Sequence, residues 1–210
     1  MILQKIKRSK SPEKIYLLFA GGNLLPLKLD DFVLTKVKIG TEIDHSLYSR
    51  LSALSLHYLL LNYALRQVAI SPKIETILHP KLNRQTNIYL HKFSYSPIDT
   101  SKIINDVLAF LNQKNLLDHA AFAGYIIRRH QSKSQNYLRQ LFFHHHLDPS
   151  LLPSVTDDLS KIKKLIVKKL KTSPKAMDFK TKNRLIGFLS RKGFAYNDIK
   201  TVIDELLSIG

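Results

Sequence analysis

Lys161, Lys164, Lys168 and Lys171 recur at the three- and four-residue steps of a helix, so they fall on one narrow stripe. No acid stands between the first and the last of them. A solvated helix face usually mixes signs to gain pairing across a turn, whereas this one bears its repulsion unrelieved. The chemistry it suits is contact with a polyanion, either nucleic acid phosphates or an acidic protein surface. Arg128, Arg129, Lys133 and Arg139 further upstream are a second candidate set, and Arg191 and Lys192 a third.

Other chemistry finds little support. His144, His145 and His146 are adjacent, and neighbours on a helix point 100 degrees apart, so they cannot converge on one ion as residues four apart do. With no cysteine and no carboxylate at ligand spacing, they read as histidines at a helix terminus, near its carbonyl ends. Asp118 next to His119 lacks a nucleophile and a third group, and reads as a helix cap. Gly21 and Gly22 belong to neither a GxxxxGK[ST] nor a GxGxxG pattern and read as turn residues. Tyr89, Phe93 and Tyr95 could form a base-stacking platform, but core packing is the preferred reading. The expectation is no catalytic residue, no metal and no cofactor.

The charge balance extends the first signal. The chain of 210 residues has 33 Lys and Arg against 16 Asp and Glu, a net charge of +17. Between Lys161 and Lys200 there are 13 basic residues against Asp178 and Asp198 alone. With 44% hydrophobic residues the chain can bury a sizeable core, as one large or two small domains. No run is long and apolar enough for a membrane helix, the first residues lack a secretory pattern, and the absence of cysteine suits a reducing compartment. A cytoplasmic protein with no membrane partner is expected.

The elements that would position these residues are mostly helices. Residues 14 to 37 read as a strand pair around Gly21-Gly22-Asn23. A helix from about Leu47 to Val68 follows, capped by Asp44 or Ser46, and Ser71-Pro72 opens a short helix that His79-Pro80 should end. Residues 81 to 97 read as a long connection with some extended structure around Ile88 to Phe93. Thr100 caps a helix carrying Ile103, Val107 and Leu111, and Asp118 caps one carrying Phe122, Tyr125 and Ile126. The last helices are clearest. One spans about Thr156 to Lys171, burying Leu159, Ile162, Ile166 and Leu170, and two more flank Arg191-Lys192-Gly193-Phe194, where Gly193 supplies a left-handed stop. Leu138, Phe142 and Leu147 match Leu185, Leu189 and Phe194, so a helix-stop-helix unit recurs.

The expected fold is therefore mainly α, with tandem three-helix repeats, elongated and curved, preceded by a small N-terminal β-hairpin region. The expected divisions are a β-rich extension over 1–45, a first repeat over 46–115 with an insertion near 79–97, a second over 116–156 and a third over 157–210.

These residues resemble the RecX family, regulators of the recombinase RecA. Asp118-His119-Ala120-Ala121-Phe122-Ala123 is similar to that family's Asp-Asp-x-x-Phe-Ala helix start, and Lys133-Ser134 to its following Lys-Gly. Phe142 through Leu147 resembles the Leu-x-x-Lys-Gly-Ile ending, and Phe188-Leu189-Ser190-Arg191-Lys192-Gly193-Phe194 followed by Ile199 resembles Phe-Leu-x-x-Arg-Gly-Phe-x(4)-Ile. His119 stands where the family has its second Asp, and Ser134 and His146 stand where it has glycines.

The resemblance implies a non-enzymatic, monomeric protein that binds the RecA nucleoprotein filament, touches DNA mainly through phosphates, and inhibits or destabilises the filament. Recombination, DNA repair and the SOS response would be modulated as a result. Two other classes stand against it. A general helix-turn-helix-like DNA binder without RecA dependence would use Tyr196, Asn197 and Lys200 as readers. A nuclease hidden in residues 81–97 would need clustered carboxylates, and that segment contains none.

Overall fold

The computed structural model describes residues 1–154, 157–170 and 178–208. It divides into two compact units, Met1–Asp118 and His119–Gly210.

The first unit opens with an antiparallel sheet of three strands in the order β1 (Leu3–Arg8), β2 (Lys14–Phe19), β3 (Leu24–Lys28). Alternation decides which side is buried: Ile6, Leu17 and Leu25 lie in one cross-strand row on the inner face, and Leu27 opposes Ile15 in the next. The β2–β3 turn holds Gly21 at φ 90° and Gly22 at φ 85°, where side chains are rarely tolerated.

Two sequence expectations change here. The second strand ends at Lys28 rather than running to 37, because Asp30 and Asp31 open helix α1 (Leu29–Thr35), whose Phe32 is buried. Strand β1 escapes sequence reading because it is an edge strand, basic on its exposed side, with an irregular register between Leu3 and Lys5.

Helix α2 (His45–Ile70) starts where Asp44 accepts a hydrogen bond from the Leu47 amide at 2.7 Å, and α4 (Thr100–Gln113) starts from Asp99 rather than Thr100. Between them lies the largest departure. Residues 75–92 form one helix, α3 (Glu75–Lys92), which neither begins at Ser71-Pro72 nor stops at Pro80. Pro80 cannot donate to the Thr76 carbonyl, a loss of about 3 kcal/mol in a helix interior. Leu78 and Leu82, four apart and both fully buried in the helical core, offset it with about 3–6 kcal/mol of apolar burial. Tertiary packing overrides the local stop signal.

The second unit contains α5 (His119–Arg129), α6 (Gln135–His144), α7 (Asp158–Leu170), α8 (Phe179–Ser190) and α9 (Tyr196–Ser208). The chain is mainly helical, as expected. The expected third helix of the middle group is, among the described residues, a single 3-10 turn at Pro149–Leu151, with Asp148 capping the Ser150 amide at 2.8 Å. Pro149 and Pro153 leave no room for a longer one. In the last group Ile162 and Ile166 of α7 pack against Leu185, Leu189, Ile199 and Ile203, whereas Leu159 is exposed, contrary to expectation.

The recurring stop has one geometry. The Leu147 amide donates back to the Phe142 carbonyl at 2.9 Å, with His146 at φ 53°. The Phe194 amide donates to the Leu189 carbonyl at 3.3 Å, with Gly193 at φ 86°. In the first unit Leu116 returns to Leu111 at 2.9 Å, with Asn115 at φ 53°. Each is a helix closed by a left-handed residue and a backbone bond across its last turn, the Schellman arrangement.

Candidate polyanion-binding face

Two turns dock on each other and thereby gather the basic residues. The Ser134 amide donates to the Lys192 carbonyl at 3.1 Å, and its hydroxyl donates to the Gly193 carbonyl at 2.6 Å while accepting from the Tyr137 amide as the cap of α6. Lys133 Nζ donates to the Arg191 carbonyl at 3.1 Å, and Lys192 Nζ to Ser132 Oγ at the same distance. Ser134 is 1% exposed, so the bonds it makes are shielded from competing water, whereas the two lysine bonds lie at the exposed rim.

The fields of these cations overlap. Burial, followed by repulsion from Lys133 and Lys168, pushes the Lys192 ammonium below its ordinary value. Burial, followed by Arg129 and Lys133, does the same to the His130 imidazole. Arg129, Lys133, Lys168 and Lys192 therefore share one positive region, although they come from two expected repeats and three candidate sets. Lys169 and Lys192 place their Nζ atoms 5.4 and 5.2 Å from the centre of the Phe188 ring. A cleft of about 430 Å³ beside it is lined by Lys169, Asn183, Arg184, Gly187, Phe188 and Arg191. For Lys169 and Arg184 the sequence carries only the charge imbalance of 161–200, which does not say which side of a helix each residue takes.

Pairing sorts the remaining cations. Lys163 meets Glu205 at 2.8 Å and Lys182 meets Asp204 at 3.2 Å, both acids lying on α9. Among the described residues no carboxylate lies within ion-pair distance of Lys164, Lys168, Lys169, Arg184, Arg191 or Lys192.

Lys161 differs from its stripe-mates. It is half-buried, with Nζ 3.2 Å from Asp158 Oδ1 and 3.3 Å from the Lys133 carbonyl, and Asp158 in turn accepts from the Gln135 amide at 3.0 Å. Its charge is engaged in joining α7 to the start of α6. The compensating acid lies three residues before Lys161, outside the acid-free interval 161–171. Lys164 is exposed and lowers the pKa of Asp157, although hydrogen bonds from Ser160 are the larger cause. Lys171 lies outside the described residues.

The other candidates fall elsewhere. Arg128 is exposed on the last turn of α5. Arg139 lines a separate cavity of about 700 Å³ with Phe142, His146 and Leu147. Tyr196, Asn197 and Lys200 are exposed at the start of α9. His144 ends α6 and its ring lies 4.9 Å from that of His145; among the described residues no group of three or more possible ligands could hold a metal ion. Tyr89, Phe93 and Tyr95 pack on one another at 6.4 and 6.0 Å, and burial pushes the Tyr95 hydroxyl up to about 12 while it bonds Ser55. They are packing residues, not an open platform. Among the described residues no helix is long and apolar enough to cross a membrane.

Residues 156–203 match the model of the RecX third three-helix domain. The chain is similar to a crystal structure of the regulatory protein RecX at 16% identity, covering 97% of this chain and 98% of that one with a TM-score of 0.55. It is also similar to the crystal structure of RecX from Lactobacillus salivarius at 18% identity, over 72% of this chain and 96% of that one, with a TM-score of 0.49. No curated protein matches. The resemblance to the RecX family legible in the sequence is borne out by the domain match, and the likeness to the first of these structures shows a common fold.

Proposed function

We propose that this RecX-like chain is a non-enzymatic regulator that binds the RecA filament on DNA and inhibits or destabilises it, modulating recombination and repair. The observation that carries the reading is the match of 156–203 to a RecX domain, in the segment that also holds the densest unpaired positive charge. Lys164, Lys168, Lys169, Arg184, Arg191 and Lys192 have no carboxylate at ion-pair distance among the described residues, so an incoming polyanion relieves repulsion already present in the free protein. Charge of this kind gives affinity and fast association with little sequence readout, which suits a partner recognised by its repeating surface.

The test is binding to RecA on single-stranded DNA, followed by anisotropy over a salt series together with RecA ATPase activity. A Lys164→Glu, Lys168→Glu, Lys169→Glu variant is expected to keep its helicity, lose filament affinity, and show a shallower salt slope by about 0.7 for each phosphate contact removed. Lys161 is left out because a glutamate there would face Asp158. Equal affinity for bare duplex and filament, with RecA ATPase unchanged, would favour the general DNA binder reading through Tyr196, Asn197 and Lys200.

A further inference from the structure

The outer face of the N-terminal sheet has a composition its packing does not require. Strand alternation places Lys5, Leu18 and Leu24 in one cross-strand row, Lys7, Tyr16 and Pro26 in the next, and Lys14 opposite Lys28 in the last. The side chains that build the core, Ile15, Leu17 and Phe19, lie on the other face. Tyr16 is thus a half-buried aromatic on the middle strand, with Lys5, Lys7, Lys14 and Lys28 around it. Lys14 Nζ lies 4.7 Å from the centre of its ring.

Edge protection explains part of this. Lysines on an exposed edge strand discourage pairing with another chain, and that is sufficient for Lys5 and Lys7 on β1. It does not explain Lys14 and Tyr16, which stand on the central strand where no edge exists. Like charges directly opposite each other weaken a strand pair, yet Lys14 faces Lys28 across β2 and β3. Among the described residues Asp30 alone lies at ion-pair distance, 2.9 Å from Lys28, whose ammonium Asp30 and, more weakly, Asp31 and Glu13 hold above its ordinary value. Three of the four lysines therefore lack an acidic partner at that distance among the described residues.

A sheet face with a central aromatic ring and a basic surround offers a π-surface for an unpaired base and cations for the phosphates on either side of it. We propose that this face binds single-stranded nucleic acid, with one base stacked on Tyr16 and the flanking phosphates held by Lys5, Lys7 and Lys14. Duplex fits poorly, because its bases are stacked on one another and offer no free face to Tyr16. An acidic protein surface would use the lysines but leave the ring without a role. Lys14, on a flexible stem, is displaced from the ring to the phosphate as the base arrives. The proposal is independent of the C-terminal basic face and of RecA.

The experiment uses the full chain and a fluorescent oligothymidylate, with a hairpin duplex for comparison. Tyr16→Ile keeps a strand-forming apolar residue and removes the ring; it is expected to weaken oligothymidylate binding by about tenfold and leave duplex binding unchanged. Tyr16→Phe keeps the ring and retains wild-type affinity. Photo-crosslinking with an iodouracil-substituted oligonucleotide is expected to label the tryptic peptide containing Tyr16, so the result holds even if Tyr16→Ile lowers the melting temperature. Wild-type affinity in Tyr16→Ile with a crosslink elsewhere would overturn the proposal. So would an equal loss for single strand and duplex, or competition by polyglutamate as effective as by unlabelled oligothymidylate, since either would leave only a general polyanion surface.

Discussion

The stops after α6 and α8 make the same backbone turn with different residues, His146 at φ 53° and Gly193 at φ 86°. Both return an amide to the carbonyl five residues back, and both seat a buried apolar residue immediately afterwards, Leu147 and Phe194. Their surroundings differ. A Cβ added at Gly193 would lie 2.7 Å from Ser134 Oγ and 2.8 Å from Tyr137 Cβ, closer than packed atoms tolerate. His146 carries its side chain into an exposed position on the cavity rim. The left-handed conformation alone disfavours a side chain by a modest amount, and only close approach of a neighbour makes glycine obligatory. One turn tests conformation; the other tests conformation and packing together.

Gly193→Ala should therefore have the largest effect, a destabilisation of about 2–4 kcal/mol combining left-handed strain with the clash. Thermal or urea unfolding followed by circular dichroism measures it. A loss no greater than about 1 kcal/mol, the value for conformation alone, would mean that the Ser134 turn moves aside at little cost. Ser134→Ala comes next, at about 2–3 kcal/mol, because it removes the cap on Tyr137 and the buried bond to the Gly193 carbonyl. The double variant sharpens the comparison. Removing the Ser134 hydroxyl relieves one of the two clashes, so the two losses should sum to more than the measured total. Strict additivity would place the strain at Tyr137 alone.

The same contrast shows how much of the fold was legible. Gly193 declared its stop because glycine before an aromatic, between two amphipathic runs, signals a helix end. The equivalent stop at 146 is legible only through the match of Phe142 and Leu147 to Leu189 and Phe194, since histidine does not announce a left-handed turn. Pro80 misled in the opposite direction, because its local signal was strong and the burial of Leu78 and Leu82 against other helices was not visible in one segment. The charge of the candidate basic face is legible in the sequence, and its geometry is not. A stripe along α7 was expected, whereas the structure gathers Lys133, Lys168 and Lys192 through contacts about 60 residues apart in sequence, such as Ser134 with Gly193. Periodicity within a helix cannot reveal which distant turn it meets.

His146→Gly changes sign relative to Gly193→Ala. Glycine relieves the φ 53° conformation without creating a cavity, because the histidine is exposed, and it should stabilise the protein by about 0.5–1 kcal/mol. Unfolding under the same conditions measures the gain. A loss instead would show that the imidazole makes contacts along the cavity with Arg139 and Phe142 that outweigh the strain.

The smallest effect expected is a pH dependence to which the histidine stop contributes and the glycine stop does not. His145 is half-buried with its ring edge-on to Phe122 at 5.7 Å, and its pKa is lowered by burial first and then by His144 and His146. Burial, Arg129 and Lys133 lower His130 in the same direction. A lowered folded pKa means that the unfolded chain takes the proton first as pH falls through the ordinary histidine value. Stability is therefore full above that value and declines as pH drops toward the folded pKa. Melting temperatures from about pH 8 down to about pH 5 should show this decline, and His145→Gln should flatten it. His146→Gly should flatten it slightly as well, by removing one repelling neighbour, whereas Gly193→Ala should shift the whole curve down without changing its slope. If His145→Gln left the slope unchanged, the proton uptake would belong to His130 beside the docked turns, and the two stops would no longer differ in their response to pH.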